Sequence, residues 1–560
     1  MMRKLSVKRW RIGTYELSLL ALIILATLLR LALLAYDWPV TNSDEGNMGI
    51  LARHVAYNGE WPIFFYGLPY MGPVEGYIAA PLFRLFGPSL FSLRVGLSPL
   101  FSSFLLCMYY LTRLLYTRGL ALFIVALLSF GSYTLISNQL KAVGEYPETV
   151  LCAALISFLV VWLALSSPLL NEQARTTWKR IWLYGSLGLV VGLALWVDFL
   201  ILPFVATGLL FLLLFCRREL RSPAGVALLL GTLLGALPLL LYNATAPFGR
   251  TSFNVLLDIH HSGAEQLAAL PDVFFRQLTG ALLISLPMAT GFNPLCRASQ
   301  FPYFGKPEIS CILLQGGWSI GYLALFVLAS LVALYTAKRL LHKSMLWTFD
   351  ERREMIIQCG RLMLLICAGG TLFLFATSPN AALVPVPTSR YLICLLVATP
   401  AVLWPLWLGL QNWQRRCWYV ATLRVVCIGL LLLLLVVYVA GTVRVFEEVP
   451  NVQASYDQEG ALVHYLIDKG ATRVYSEYWT CNRLIFHSAE QIICSALDEQ
   501  LKPGLDRYAP YATIVRKTLH PAYVFPLGSR QASAFVARIH DHPSYRRSEY
   551  ENYVIYLPVF

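Results

Sequence analysis

The chain has 560 residues, of which 57% are hydrophobic and only 13% are Asp, Glu, Lys or Arg. Soluble globular proteins are nearer one quarter charged, so this composition excludes an ordinary water-soluble fold. The net charge is +13. In a membrane protein, basic residues collect in the cytoplasmic connections, so this charge does not predict binding to nucleic acid.

Long apolar stretches account for most of the sequence. A window of about 20 apolar residues spans a bilayer as a helix, because backbone amides in lipid must be satisfied within the segment. The sequence predicts eleven spanning helices, at roughly 15–36, 90–112, 119–138, 147–166, 182–197, 199–215, 224–243, 317–337, 360–377, 390–410 and 421–443. The two helices that flank Asp198 are open to another division of 182–215.

Basic residues give the orientation of these helices. Residues 1–11 carry five Lys or Arg and no acid, which places the N-terminus in the cytoplasm. The first helix has no A-x-A cleavage site, so we expect it to be retained. Eleven crossings put the even-numbered connections inside too, and these are rich in basic residues: Arg113 and Arg118; Arg175, Lys179 and Arg180; Arg217, Arg218 and Arg221; Lys338 through Arg361; Arg415, Arg416 and Arg424.

Three outward segments are longer than simple connections: 37–89, 244–316 and everything after 444. Long segments of this kind are commonly functional. In the first, the string EGNMGILARHVAYNG places apolar residues on one helical face. We therefore expect a helix lying on the membrane surface just after Asp44 and Glu45.

The last part of the chain has a different pattern. DQEGALVHYLIDKG predicts a helix ending at Gly470, and ATRVYS, YWTCNRLIFHS, QIIC and the segments after them continue an alternation of strands and helices. This alternation predicts a small α/β domain with a mainly parallel sheet, outside the membrane. The predicted domains are therefore a transmembrane region, 1–445, and a soluble region, 446–560. The first strand is not followed by G-x-G-x-x-G, so nucleotide binding is not inferred.

Two pairs of cysteines lie on the outward side, Cys296 with Cys311 and Cys481 with Cys494. The outward compartment can be oxidising, so these pairs are candidates for disulfides, although free thiols are the alternative. No C-x-x-C metal pattern occurs.

The adjacent acids Asp44 and Glu45 follow the first helix directly, in WPVTNSDEGN. Carboxylates at this position can act as a general base, a metal ligand or a hydrogen-bonding anchor. Helix capping by Ser43 or Asp44 is the simpler interpretation of the local sequence.

A family resemblance favours the catalytic interpretation. The acidic pair, the amphipathic helix and the string GEWPIFFYGLPYMGPVEGYIAAPLFRLFGPSLFSLRVGLSPL together resemble the GT-C glycosyltransferases. The branch containing protein O-mannosyltransferases and lipid A aminoarabinose transferases is the most similar, over 40–165 and again at 379–400. The resemblance implies a polytopic α-helical enzyme of a bacterial-type plasma (inner) membrane. It would move a sugar from a polyprenyl phosphate to an outward-facing glycan, lipid or protein, with inversion, using Asp44 as base and Glu45 as its partner.

Basic residues at the outer surface are candidates for the donor phosphate. Arg390, in the family-like string SRYL with Tyr391, is the first candidate, because a guanidinium can fork onto phosphate oxygens. The alternative is that the Arg390 side chain only reaches to the membrane–water interface and binds no ligand. Lys141 is the second candidate, and Arg94 is interpreted as a membrane anchor.

Several residues are candidates for contacts with sugar hydroxyls: Glu75, Tyr70, Glu145, Glu148 and Tyr391. At Glu75 the sequence departs from the K-P-P-L or H-P-P-L string of many relatives, and a solvated side chain is the alternative to a sugar contact. Ion pairing with Lys141 is the alternative for Glu145 and Glu148.

Two further groups of residues lie in the second and third outward segments. His260 and His261 are adjacent, so they point apart on a helix and form a metal site only if Asp44, Glu45 or other ligands join them; ordinary surface histidines are the alternative. Related families differ in whether they require a divalent metal. Tyr478, Trp479 and Arg483 are candidates for carbohydrate contact, with core packing and docking onto the membrane region as the alternative.

Two other functions compete with glycosyl transfer. A transporter or lipid flippase would carry ionisable residues at mid-membrane, whereas the predicted helices are nearly free of charge. A non-catalytic assembly or sensor protein would tolerate a degenerate first loop, which this chain does not have.

Overall fold

A computed structural model of the chain describes residues 13–167, 177–292, 296–341, 348–411, 418–539 and 545–559. The basic N-terminal segment 1–11, Arg175, Arg415 and Arg416, used above for orientation, lie outside these residues. Up to Thr245, the described residues form these helices: α1 Thr14–Ala35, α2 Ser43–Arg53, α3 Val74–Phe86, α4 Leu90–Val95, α5 Leu97–Leu115, α6 Arg118–Ser129, α7 Tyr133–Leu140, α8 Tyr146–Leu165, α9 Trp178–Val197, α10 Leu202–Phe215, α11 Arg217–Leu220, α12 Pro223–Gly235 and α13 Leu237–Thr245.

The second half continues with helices and ends with a sheet. Its helices are α14 Ser252–Ala268, α15 Val273–Thr279, α16 Leu286–Ala289, α17 Ile309–Leu341, α18 Phe349–Ala376, α19 Pro379–Leu383, α20 Pro385–Thr388, α21 Thr399–Gln411, α22 Trp418–Asp468, α23 Tyr478–His487, α24 Ala509–Arg516 and α25 Arg530–Ile539. Short π-helical or 3-10 segments lie at His54–Asn58, Phe199–Ile201, Gly280–Ser285, Ala298–Gln300 and Ser389–Ala398. The strands are β1 Arg473–Ser476, β2 Ile493–Ala496, β3 Ala522–Pro526, β4 Tyr545–Tyr550 and β5 Tyr553–Pro558.

The chain is a multi-pass membrane protein by the length and composition of its helices. In the described residues, eight helices are long and apolar enough to cross a bilayer, or up to eleven if each of three bent pairs is one span. The predicted window 199–215 is a shorter apolar helix that begins after a break at Asp198. One bent pair, Ser252–Ala268 with Val273–Ala289, turns by 114°. It lies in the expected outward segment 244–316, which is therefore more helical and more apolar than a surface loop.

The first outward segment is buried rather than spread on the membrane surface. Helix α2 starts at Ser43, so it contains Asp44 and Glu45 instead of following them, and nearly all its residues are inaccessible. Its N-cap is Asn42, whose side chain accepts a hydrogen bond from the Glu45 amide. Neither Ser43 nor Asp44 is the cap, so both acidic side chains are free for other contacts.

The C-terminal region is a five-stranded sheet in the order β2-β1-β3-β5-β4. The pairs β1–β2 and β1–β3 are parallel, whereas β3–β5 and β4–β5 are antiparallel. The expectation of a mainly parallel sheet was therefore wrong. Helices α23 and α24 lie between β1, β2 and β3, and such crossovers allow neighbouring strands to run parallel. β4 and β5 form a hairpin, which needs no crossover and makes them antiparallel.

The two predicted regions are joined through a continuous helix and a shared core. The boundary at 445/446 lies inside α22, which runs without a break from Trp418 to Asp468. Apolar side chains of α2 and α23 belong to one hydrophobic cluster. The two helices approach closely at glycines: a Cβ on Gly46 would lie 2.6 Å from the backbone of Asn482, and one on Gly49 would lie 2.5 Å from the Phe486 ring.

Polar contacts reinforce this junction at the other end of α2. Arg53 Nε donates to Glu490 Oε2 over 2.7 Å, and His54 Nε2 lies 2.7 Å from Glu490 Oε1. The Tyr511 hydroxyl also donates to Glu490. These hydrogen bonds outweigh burial and lower the pKa of Glu490 to about 2. The C-terminal region is therefore fixed on the first outward segment along the whole length of α2.

Candidate active site

A cavity of about 530 Å³ lies between the first outward segment, the ends of several membrane helices and the C-terminal region. Its polar lining consists of Asp44, Tyr70, Glu145, Tyr146, Asp198, His260, Thr371, Ser378, Asn380, Arg390, Tyr391 and Arg507. Its apolar lining includes Leu200, Leu202, Leu256, Leu257, Ile259, Leu374 and Phe375. A single cavity thus brings charged groups and a wall of aliphatic side chains together, which suits a ligand with a polar head and an apolar tail.

Asp44 is the carboxylate that α2 presents to this cavity. The Tyr478 hydroxyl donates a hydrogen bond to its Oδ1. Arg507 Nη2 lies 3.4 Å from the same oxygen, and Arg507 Nε donates to the Tyr478 hydroxyl over 2.8 Å. Both partners come from the C-terminal region. Asp44 is therefore held from one side by a tyrosine and an arginine that lie more than 400 positions away in sequence.

Arg390 faces the same cavity from the segment Ser389–Ala398. Its guanidinium lies over two aromatic rings, 5.2 Å from the centroid of Tyr146 and 5.8 Å from that of Tyr391. Arg390 is close enough to Asp44 for electrostatic attraction. Its Nε is buried and has no hydrogen-bond partner in the described part of the chain. The two rings fix the position of the guanidinium, and its Nε remains available to an anion.

Glu145 and Asp198 form a buried pair of carboxyl groups on the cavity wall. They are within hydrogen-bond reach of each other, and burial together with this proximity raises the pKa of Glu145 well above its usual range. Burial and the proximity of two like charges both oppose ionisation of the two carboxyls at once. Glu145 has a left-handed backbone conformation, with φ of 76° at the start of α8. The ion pair considered for Glu145 with Lys141 does not form.

Glu45 lies away from the cavity, in a different role from the one expected. It is fully buried, and Arg94 Nε and Nη2 donate to its two oxygens over 2.8 and 2.6 Å. The Ala142 amide donates to Glu45 Oε1 over 3.0 Å. Burial opposes ionisation, but Arg94 and these hydrogen bonds lower the pKa of Glu45 below its usual value. Arg94 is thus an internal partner for α2 rather than an interface anchor.

Glu75 is also outside the cavity lining. It is fully buried on α3, and its Oε2 accepts a hydrogen bond from the Gly144 amide over 2.6 Å. Burial, and then the nearby Glu148, raise the pKa of Glu75. Both oxygens of Glu148 are buried without a hydrogen-bond partner among the described residues. The structure therefore places Glu75 and Glu148 beneath the loop that precedes α8, rather than toward a sugar or toward solvent.

Lys141 lies in the same loop and does not line the cavity. Burial lowers its pKa to about 8, although Glu45 favours the charged form. It is within electrostatic range of Asp44 and Arg390. Lys141 therefore contributes positive potential to the site without direct access to its ligand.

Tyr70 and Tyr391 line the cavity, as expected of residues that contact a ligand. His260 lines it too, whereas His261 does not. Within the described ranges, no three His, Cys, Asp or Glu side chains are grouped closely enough to hold a metal ion. The histidines and the acids of α2 are thus not assembled into one ligand set in this structure.

The cysteines considered above lie at bonding distance. The structure joins Cys296 to Cys311 and Cys481 to Cys494 through their sulfur atoms. The second pair connects α23 to β2, so it fixes the helix that carries Tyr478 to the sheet.

Not all the residues of the C-terminal region that were candidates for carbohydrate contact line the cavity. Trp479 is half exposed at 55% and does not line the cavity. Arg483 pairs with Glu459 over 3.2 Å. Arg507 was missed, because nothing in the local string LDRYAP distinguishes it from a surface arginine. Asp198 was noted only as a charge at a helix end, although an acid inside so apolar a stretch was a usable signal.

Comparisons with known proteins agree on the architecture. No protein-family model matches the sequence, and no curated protein matches it. Two crystal structures of ArnT from Cupriavidus metallidurans are similar at 12% sequence identity: the form bound to undecaprenyl phosphate, with a TM-score of 0.55 over 96% of this chain and 98% of ArnT, and the apo form, with a TM-score of 0.54 over 96% and 97%.

A third structure is more distant. The archaeal oligosaccharyltransferase AglB from Archaeoglobus fulgidus, in complex with an inhibitory peptide and a dolichol-phosphate, has a TM-score of 0.48 at 13% identity, over 97% of this chain and 74% of AglB. A score below 0.5 does not carry a fold assignment, which therefore rests on ArnT. The order of membrane helices, the buried first outward segment and the small C-terminal sheet, together with this similarity, show that the chain has the GT-C fold.

Proposed function

We propose that this protein is a membrane glycosyltransferase that moves a sugar from a polyprenyl phosphate to an acceptor hydroxyl on the outward side of the plasma membrane. One observation carries the proposal: a carboxylate, Asp44, and a guanidinium, Arg390, face one cavity that continues into an aliphatic wall. The ArnT structure with the same fold contains undecaprenyl phosphate, a ligand with the polar head and apolar tail that such a cavity suits.

Arg390 would hold the donor phosphate. Its guanidinium is fixed over Tyr146 and Tyr391, and its Nε has no partner in the described residues. The phosphate gains negative charge as the sugar leaves, and a preorganised guanidinium stabilises that charge more in the transition state than in the ground state. Lys141 adds positive potential from behind the cavity wall.

Asp44 would act as the general base. Its Oδ1 is engaged by Tyr478 and Arg507, while Oδ2 has no hydrogen-bond partner among the described residues. The acceptor oxygen attacks the anomeric carbon, the bond from that carbon to the phosphate oxygen breaks, and the hydroxyl proton moves to Oδ2. Attack from the face opposite the phosphate inverts the configuration at the anomeric carbon.

The remaining polar groups would bind the sugar. The raised pKa of Glu145 favours a proton shared with Asp198, so the pair would both donate to and accept from sugar hydroxyls. Tyr70 adds a phenol on the same wall. Glu45, Glu75 and Glu148, which lie away from the cavity, would instead hold α2 and the loop before α8 in place.

The test is consumption of a lipid-linked donor. Purified protein in bicelles would be given a panel of polyprenyl-phosphate sugars with envelope lipids as acceptors, and release of polyprenyl phosphate would be measured by mass spectrometry. We expect at least one donor to release its lipid phosphate, and Arg390→Gln to lose this release. Failure of every donor with folded wild-type protein would contradict the proposal.

A further inference from the structure

The C-terminal region reaches the cavity through two side chains. Tyr478 begins α23, and Arg507 lies just before α24. The Tyr478 hydroxyl donates to Asp44 Oδ1, and Arg507 contacts both that oxygen, over 3.4 Å, and the Tyr478 hydroxyl, over 2.8 Å. The side chains of Asp44 and Arg507 are each only 11% exposed. These contacts are thus part of the cavity wall and not a surface ion pair.

The backbone of α23 is fixed against α2 at the same point. Ser43 Oγ donates to the Tyr478 carbonyl and accepts from the Asn482 amide over 3.3 Å. Gly46, one turn later, leaves no room for a side chain against Asn482. The packing of α2 on α23 therefore sets the distance between the backbones of Asp44 and Tyr478. A change in that distance requires a change at the junction of the two regions.

We propose that Tyr478 and Arg507 are positioning residues for Asp44, which makes the C-terminal region a structural half of the active site; the proposal deepens the proposed role of Asp44 as base. A carboxylate has two equivalent oxygens and rotates freely about its Cβ–Cγ bond. Donors on Oδ1 fix that rotation and leave Oδ2 directed to the acceptor hydroxyl. Restricting a catalytic group to its reactive orientation raises the rate of reaction without a new contact to the substrate.

Tyr478 is one of several groups that act on Asp44. Other charged groups face Asp44 as well: Arg390 and Lys141 are within electrostatic range, and Glu145, Asp198 and His260 line the same cavity. These groups are common to wild type and variant, so the difference between the two isolates the contribution of Tyr478.

The first experiment reads Asp44 without any substrate. Dicyclohexylcarbodiimide labels reactive carboxyls, and peptide mass spectrometry gives the rate at which Asp44 is labelled. A carboxylate held through Oδ1 by the Tyr478 hydroxyl is less reactive than a free one, so Tyr478→Phe should be labelled at Asp44 about 10-fold faster than wild type. Tyr465→Phe is the matched control, because its hydroxyl bonds Ser548 on β4 and neither residue lines the cavity. An unchanged labelling rate in Tyr478→Phe overturns the proposal.

The second experiment uses turnover of an accepted donor. Tyr478→Phe should lower kcat and move the acid limb of the pH–rate profile upward, with the donor KM unchanged, and Arg507→Lys should retain more activity than Arg507→Gln. Loss of kcat and KM in parallel, with no shift of the acid limb, would indicate a merely structural role and contradict positioning. If wild type consumes no donor but Tyr478→Phe is labelled faster at Asp44, the proposed function fails while the positioning of Asp44 stands.

Discussion

Replacing Glu45 with Gln should destabilise the whole outward half of the protein. The carboxylate is fully buried and accepts two hydrogen bonds from Arg94 and one from the Ala142 amide. A Gln oxygen can take the place of Oε1, but its NH₂ then faces Arg94 Nη2, donor against donor. The substitution also leaves a buried guanidinium without its counter-charge.

The expected loss follows from the burial of both partners. Breaking a buried ion pair by neutralising one side typically costs about 3–5 kcal/mol, because the remaining charge stays in a poorly solvated site. Replacing both partners by apolar residues of similar size avoids that penalty. Glu45→Leu combined with Arg94→Met should therefore recover much of the stability lost in Glu45→Gln, although it also loses the Arg94 bond to the Asp37 carbonyl.

The free energy of unfolding would be measured by SDS titration in mixed micelles, followed by tryptophan fluorescence. Glu499→Gln is the matched control, because Glu499 pairs with Arg530 on the exposed surface and should unfold like wild type.

The pH dependence of the free energy of unfolding is a second test of the role of Glu45. The pKa of Glu45 is lowered in the folded protein, so its contribution is complete above the ordinary value of 4.5 and is lost as the pH falls through the folded value. If Glu45→Gln unfolds like Glu499→Gln, the anchoring role is refuted.

Three further results are expected. Arg390→Gln should weaken binding of undecaprenyl phosphate about 10- to 100-fold, because one charge-assisted hydrogen bond is lost. Arg390→Lys should bind with intermediate affinity. Native mass spectrometry measures both, and binding equal to that of wild type would contradict the phosphate assignment. The pKa of Glu490 is lowered from its ordinary value of 4.5 to about 2. The stabilisation that Glu490 gives to α2 is therefore complete above pH 4.5 and is lost as the pH falls toward 2. Hydrogen exchange of the α2 amides should show this pH dependence in wild type and lose it in Glu490→Gln. Gly46→Ala should destabilise by about 1–3 kcal/mol through its clash with Asn482, whereas Gly460→Ala, in open space on α22, should be neutral or stabilising.

Most of the membrane architecture could be predicted from hydropathy, because a bilayer requires long apolar helices wherever it is crossed. The GT-C fold was correctly predicted from the string that contains the acidic pair. The bent pair across 252–289 was missed, since HH, D and E interrupt its apolar pattern at α14. β4 was missed because YRRSEY has mostly solvent-facing positions and pairs only with β5.

The site was harder to predict than the fold, because its contacts join distant parts of the chain. Asp44 and Arg390 were selected by their family-like strings and do share the cavity. Glu45 was assigned with Asp44 because the two are adjacent, but neighbours on a helix point in different directions, and Glu45 instead faces Arg94. Arg507 could be found only from tertiary structure, because the contact of the loop before α24 with the first outward segment, which brings Arg507 to Asp44, has no local sequence signature.

The rate of sugar transfer by Asp44→Asn tests the central claim most directly. The substitution keeps the shape of the side chain and its contact with Tyr478, but its amide cannot accept the acceptor proton. Single-turnover transfer from a pre-bound donor should slow by about 10²- to 10⁴-fold, the usual contribution of a general base, while donor binding stays at the wild-type level. Transfer by Asp44→Asn at the wild-type rate would contradict the account.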